Sequence, residues 1–385
     1  MAFYLRNPHR QPTYRETGPA ADPLRVHRRL PGYAPTPLRS LPVLAARLGL
    51  ASLHLKDESN RLGLPAYKVL GAAWATVRVL EARQPAVRGW TDLDDLRRRL
   101  AGQRLRLVTA TDGNHGRGVA RVARLLGFAA EVYVPVGTAA ARIAGIESEG
   151  ARVVVVDGTY DATVATAAGV TGDDVLLIQD HGWPGYEEIP ALVAEGYETI
   201  FAEVADARAR DGIPAPDVVL VQVGVGTLAS AVVAHFRRAP YPAALRLVGV
   251  EPTGAACALR SVEAGQPVLL EVGADASIMA GLNCGAPSSA AWPALRDGMD
   301  AFVAVDDEQA REAMRLLAAE GITSGESGAA GLAGLLEVCE GGSAARARGD
   351  LGLAGAHVLL LSTEGATDPG GWERIVGRAL GGVTP

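Results

Sequence analysis

The 385-residue chain has only three cysteines, Cys257, Cys284 and Cys339. Three are too few for a disulfide scaffold, and their spacing fits no metal-ligand pattern, so no metal site is predicted. Read alone, they are reduced, small hydrophobes. Aromatic residues make up only 5% of the chain. No apolar run reaches transmembrane length, and the N-terminus lacks a signal-peptide hydrophobic stretch. These absences exclude a membrane-spanning chain and point to a cytoplasmic one. Positive charge is not in excess either. Lys and Arg number 37 against 43 Asp and Glu, for a net charge of −6. That balance argues against nucleic acid or an anionic membrane as partner. The basic cluster Arg97-Arg98-Arg99 reads as a solvated helix face.

Glycine is plentiful at 46 residues, and hydrophobic content is 48%. A chain of this length buries a large core and is expected to divide into two subdomains. Residues 1–37 are rich in proline and arginine and read as a wrapping arm. Residues 53–56 read as a strand and 68–80 as a helix. Residues 84–104 are polar and read as a passage between subdomains. From Leu105 strand and helix alternate: strands at 105–110, 130–135, 152–156 and 175–179, with helices between them. Such alternation predicts a mostly parallel sheet covered by helices. After helical material over 189–209, Asp217–Val223 is a continuous apolar run, as in a strand buried on both faces. A helix over 227–236, a strand over 245–250, helices over 308–319 and 328–338, and a last buried strand over 357–361 follow. The class is α/β, with two three-layer αβα subdomains. The predicted boundaries are 1–85 plus 196–385 for the large one and 86–195 for a smaller one inserted in it.

Four stretches carry chemistry. In Ala66-Tyr67-Lys68-Val69-Leu70-Gly71, Lys68 stands where an extended segment turns into a helix. Partial desolvation there predicts a lowered pKa and a usable amine, suited to a Schiff base with pyridoxal phosphate. A lone lysine would instead be a solvated helix residue. In Val223-Gly224-Val225-Gly226-Thr227, a strand, a glycine turn and a helix start form an anion cup, to which Thr227 can add a hydroxyl. The turn lacks the full dinucleotide fingerprint and the P-loop lysine, so a single phosphate fits it best. Its bland reading is a packing turn. Thr111-Asp112-Gly113-Asn114-His115-Gly116 follows a strand at its C-terminal end, where ligands bind in open α/β sheets. There Asn114 can bond a phenolic oxygen, and N–H groups around Thr111, Gly113 and His115 can take a substrate carboxylate. An Asx turn, a helix cap and a structural histidine are the competing readings. Finally, Glu326 and Ser327 open a late helix, and Ser362 and Thr363 end the last strand, where a hydroxyl can meet a ring nitrogen. Alone, both of these are structural.

In this order the elements resemble the fold type II pyridoxal-phosphate enzymes of the tryptophan-synthase β-subunit class. Among these, the chain is most similar to the diaminopropionate ammonia-lyases. The resemblance rests on Lys56-Asp57-Glu58-Ser59, Tyr67-Lys68, the stretch from Thr111 to Ala120, Gly185-Tyr186 with Ile189-Pro190, Ile278 to Gly285, Ser324 to Gly328, and Ser362 to Gly365. Threonine dehydratases carry serine where this chain has Asp112. The resemblance implies conversion of 2,3-diaminopropionate and water to pyruvate and two ammonia. It implies Lys68 as cofactor lysine and first base, Asp112 as a second base for the D-enantiomer, and Asp180 as holder of the substrate amino group. Asn114, Gly224, Val225, Gly226, Thr227, Glu326, Ser362 and Thr363 become cofactor contacts. It also implies a homodimer and a redox-sensitive Cys257–Cys284 pair.

Two other readings stay open. One is β-elimination or β-replacement on another β-substituted amino acid, serine or threonine included, as in a specialised biosynthetic pathway. The other is a non-catalytic amino-acid-binding protein that keeps the fold. The joint presence of Lys68, Asn114 and the glycine turn speaks against the last.

Overall fold

The computed structural model describes residues 3–16, 20–238, 240–273 and 276–380. Parts of the expected arm and the extreme C-terminal residues lie outside these. Among the described residues eleven strands occur: β1 (Phe3–Arg6), β2 (Leu38–Ser40), β3 (Ser52–Asp57), β4 (Arg106–Ala110), β5 (Ala129–Pro135), β6 (Arg152–Val156), β7 (Val175–Leu177), β8 (Val218–Gln222), β9 (Arg246–Pro252), β10 (Ala301–Val305) and β11 (His357–Ser362). They form two sheets. The larger has the order β1-β10-β9-β8-β11-β3-β2, and the smaller β6-β5-β4-β7. The smaller sheet is wholly parallel, and the larger is parallel except at its two edges.

The apolar run of β8 is buried at every position, because helices cover both faces of the large sheet. Three strands were not legible in the sequence, and one of them, β2, is a three-residue edge strand antiparallel to β3. β1 pairs antiparallel with β10 and ties the arm to the sheet edge. Asn7 follows it and donates to the carbonyls of Arg296 and Met299 at 2.7 and 2.8 Å. β10 is five fully buried residues, too short an apolar run to declare its own type. The stretch over 84–104 also carries more structure than its polarity suggested, with a helix over Leu93–Arg99 capped by Asp92.

The two sheets are joined through the Val69–Arg83 helix. It packs on the Asn114–Leu126 helix, where a Cβ on Gly118 would meet the Val69 backbone at 3.0 Å. It also crosses the Glu188–Gly196 helix so closely that a Cβ on Gly196 would lie 2.7 Å from the Gly71 Cα. Paired small residues let the helix axes approach. Because neighbouring strands run parallel, the C-terminal ends of β3, β8 and β11 share one edge, and those of β4, β5 and β7 share another. One cavity takes side chains from the loops that leave both edges.

Candidate active site

The chain has two lysines, Lys56 and Lys68. The first is locked in place. Its Nζ donates to the Thr36 carbonyl and the Glu203 carboxylate, both at 2.7 Å, and the side chain is 1% exposed. Lys68 is therefore the one lysine amine available to a ligand. It stands at the N-cap of the Val69–Arg83 helix and lines the cavity. Its Nζ donates to the carboxylate of Asp180, which is buried. Burial works to lower the lysine pKa, but Asp180, with smaller contributions from Tyr67, Tyr197 and Asp112, raises it well above its ordinary value. The sequence expectation of a lowered pKa is thus corrected. Desolvation acts as expected, and the contacting carboxylate together with its neighbours outweighs it. Asp180 responds in the opposite sense: burial pushes its pKa up, and His115 and Lys68 pull it well below the usual carboxylate range.

The asparagine loop leaves β4. Thr111 closes it, its buried hydroxyl accepting from the N–H groups of Gly113 and Gly116 at 2.9 and 3.1 Å. Gly113 adopts φ 148°, a conformation other residues resist. The N–H groups of Thr111 and Gly113, both expected at a substrate carboxylate, are therefore already committed, the first to the Tyr133 carbonyl at 2.9 Å and the second to the Thr111 hydroxyl. The His115 ring is also committed. Its Nε2 lies 2.8 Å from the Ile178 carbonyl, its Nδ1 3.7 Å from Asp180, and burial lowers its pKa. The backbone N–H groups of Asn114 and His115 remain. They open the Asn114–Leu126 helix and have no acceptor among the described residues. Asp112 and Asn114 both line the cavity with Lys68. The Asp112 carboxylate makes no hydrogen bond or ion pair among the described residues. Its Oδ2 would lie 3.1 Å from a Cβ on Gly281, in the segment that closes over the cavity.

The glycine turn follows β8. Gly226, at φ +95°, is the N-cap of the Thr227–Phe236 helix. The N–H groups of Gly224, Val225, Gly226 and Thr227 have no acceptor among the described residues, as expected at a free helix N-terminus. A Cβ on Gly224 would lie 2.9 Å from the Gly281 carbonyl, so only glycine fits between the two turns. The Thr227 hydroxyl, expected to face the anion, instead donates to the Asp180 carbonyl at 2.6 Å. It couples the glycine turn to the partner of Lys68.

The end of β11 divides its candidates. Thr363 lines the cavity, and its hydroxyl accepts from Gln222 Nε2 at 3.3 Å. Ser362 is fully buried, and its hydroxyl donates to Ser324 Oγ at 2.8 Å, away from the cavity lining. Ser362 is the last paired residue of β11 and Thr363 the first beyond it. Glu326 does not line the Lys68 cavity. It borders an adjoining cleft together with Asp112, Arg142 and Asp368. Burial first, and then the Glu364 charge, pushes its pKa up to about 7.

Residues 29–350 match the family model described as pyridoxal-phosphate dependent enzyme. The diaminopropionate ammonia-lyase of Salmonella typhimurium is 39% identical over 92% of this chain and 90% of its own length. The chain belongs to the diaminopropionate ammonia-lyases. Two crystal structures of the Escherichia coli diaminopropionate ammonia lyase superpose on it, each 34% identical and covering 98% of this chain and 97% of that one. The complex with D-serine has a TM-score of 0.90, and the complex with an aminoacrylate-PLP azomethine reaction intermediate 0.86. The fold is therefore that of the fold type II enzymes of this family, as the resemblance implied.

The residues present fit pyridoxal phosphate, the cofactor of this family. A lysine amine, an asparagine amide, a strand-end hydroxyl and a glycine cradle of free N–H groups converge on one cavity. Among the cavity residues to which the sequence reading gave no role are Tyr67, Tyr160, Gln222, Asn283 and Glu364. Tyr67, Asn283 and Glu364 stood inside quoted motifs. The scarcity of lysine was a signal that would have singled out Lys68 on its own. Cys257 and Cys284 are both buried free thiols packed around Val225, next to the glycine turn, and not a bonded pair.

Proposed function

We propose that this diaminopropionate ammonia-lyase family member eliminates ammonia from 2,3-diaminopropionate, the second ammonia leaving as water completes the conversion to pyruvate. One observation carries the reading. A lysine in contact with one carboxylate, Asp180, shares a cavity with a second carboxylate, Asp112, that has no partner among the described residues. Pyridoxal phosphate, when bound, supplies an electron sink for charge developing at the substrate α-carbon. Lys68 is the amine that holds it. The N–H groups of Gly224, Val225, Gly226 and Thr227 take its phosphate, Asn114 its phenolic oxygen, and Thr363 its ring nitrogen.

The N–H groups of Asn114 and His115 receive the substrate carboxylate, and Asp180 orients the amines beside it. Lys68 removes the α-proton on its own side. Asp112 removes it from the D-enantiomer, whose α-hydrogen points the other way. The acidic lining suits a substrate with two ammonium groups. Residues 1–85 with 196–385 act as one subdomain and 86–195 as the other, a division supported by the membership of the two sheets. Among the described residues no helix is long and apolar enough to cross a membrane. A cytoplasmic homodimer without nucleic-acid or membrane partners completes the proposal, and it rests on family resemblance and on the charge balance.

The test is direct. Purified protein should be yellow and should release pyruvate from diaminopropionate in a coupled lactate dehydrogenase assay. Pyruvate from serine or threonine, with none from diaminopropionate, would favour the other β-elimination reading. Colourless protein that retains no pyridoxal phosphate would favour the non-catalytic one.

A further inference from the structure

Glu364 is 1% exposed yet reaches the cavity. Both of its carboxylate oxygens accept hydrogen bonds from backbone or amide nitrogens. Oε2 accepts from Asn114 Nδ2, and Oε1 accepts from the Ser327 N–H at 3.1 Å. Ser327 lies in the first turn of the Glu326–Glu340 helix, and its Oγ accepts from the Gly281 N–H at 3.1 Å. The backbone of Glu364 is itself held, its carbonyl accepting from the Gly325 N–H at 3.0 Å. One carboxylate thus joins the asparagine loop of the small sheet to a helix covering the large one.

This contact decides which way the Asn114 amide faces. An amide carries two N–H donors on one side and an acceptor on the other. The reverse orientation would set the Asn114 oxygen against a carboxylate oxygen. With one N–H given to Glu364, the amide plane is fixed and the second N–H has a set direction. We propose that Glu364 is a positioning residue, orienting the Asn114 amide so that its remaining donor meets the phenolic oxygen of pyridoxal phosphate. The inference rests on the cofactor reading above and extends it to a residue that touches the cofactor only through Asn114. The other titratable groups that feel the Glu364 charge are Glu326, Arg142 and Tyr67.

The test uses purified holoenzyme of the parent, E364Q, N114A and the double variant. A glutamine can accept from Asn114 or from Ser327 but not from both, so the amide loses its fixed orientation while the side-chain volume is kept. E364Q should shift the visible absorption band of the bound cofactor and the pH at which that band changes. It should lower kcat about tenfold, the scale of one hydrogen bond to a charged group, with KM little changed. N114A should do the same, and the double variant should be no worse than N114A alone. Losses that multiply in the double variant, or an E364Q band and pH profile matching the parent, would overturn the assignment. A parent protein with no visible band and no retained pyridoxal phosphate would instead overturn the cofactor reading beneath it. If E364Q does not fold, N114D replaces it. Two carboxylates would then face each other, so cofactor retention should be lost at alkaline pH and regained as pH falls, while the parent stays flat. Retention in N114D that does not change with pH would refute the contact.

Discussion

Gly226→Ala tests the glycine turn through both fold and cofactor. Gly226 has φ +95°, in the left-handed region, where an L-residue costs roughly 1–2 kcal/mol. The new Cβ would lie 2.6 Å from Leu295 Cδ1 and 3.2 Å from Ala291 Cβ. Leu295 is wholly buried, so it has little room to turn aside. Overpacking of this kind costs about 1–3 kcal/mol. The sum, about 2–5 kcal/mol, falls on the protein with or without cofactor. The apo form of G226A should therefore unfold on the order of 5 °C below the parent apo form. The holo form should fall further, because the helix N-terminus proposed to take the phosphate is displaced. Thermal unfolding of apo and holo forms, with pyridoxal phosphate retained after dialysis, separates the two effects. Adding Leu295→Ala should relieve the overpacking part and leave the backbone part. An apo G226A that unfolds at the parent temperature would refute the steric argument, and unchanged cofactor retention would refute the cradle.

Three further outcomes are expected. Lys68→Ala should lose the lysine-linked cofactor that borohydride traps in the parent, and labelled cofactor still attached to a lysine peptide would refute the choice of Lys68. Asp112→Asn should keep cofactor and fold, since Asp112 makes no bond among the described residues. It should lose activity on D-diaminopropionate by about a hundredfold or more while activity on the L-enantiomer falls much less, and equal losses would make Asp112 a binding or loop residue. Glu203→Gln should flatten the acid sensitivity of unfolding. Burial pushes the Glu203 carboxyl up, but Arg61 and Lys56 overcome this and hold it at about 2, below its ordinary 4.5. Its stabilisation is thus present above pH 4.5 and lost as pH falls from 4.5 towards 2. Acid unfolding curves of parent and variant that stay parallel across that window would refute the linkage.

Much of the architecture was legible in local pattern. The alternation from Leu105 announced a parallel α/β fold, because periodicity and turn chemistry act over a few residues. The edge strand β1 and its neighbour β10 were not legible. Their pairing joins residues some three hundred positions apart, and a five-residue apolar run does not state its type. The site was legible as residue types at strand ends. Lys68, Asp112, Asn114, Asp180, Thr363 and the glycine turn all come to one cavity.

By itself the sequence determined which backbone segments could hold a phosphate, an amine and an amide, since glycine spacing and strand-to-helix junctions are local properties. Tertiary structure alone decided how those groups are committed. Lys68 is held charged because a buried carboxylate more than a hundred residues away touches it, and Thr227 turns its hydroxyl to that carboxylate's own backbone. Thr363 lines the cavity while the Ser362 hydroxyl is spent on Ser324, because Ser362 is the last paired residue of β11 and Thr363 the first beyond it. Electrostatics and hydrogen bonding in a buried site depend on distances between remote segments, and such distances exist only once the chain has folded.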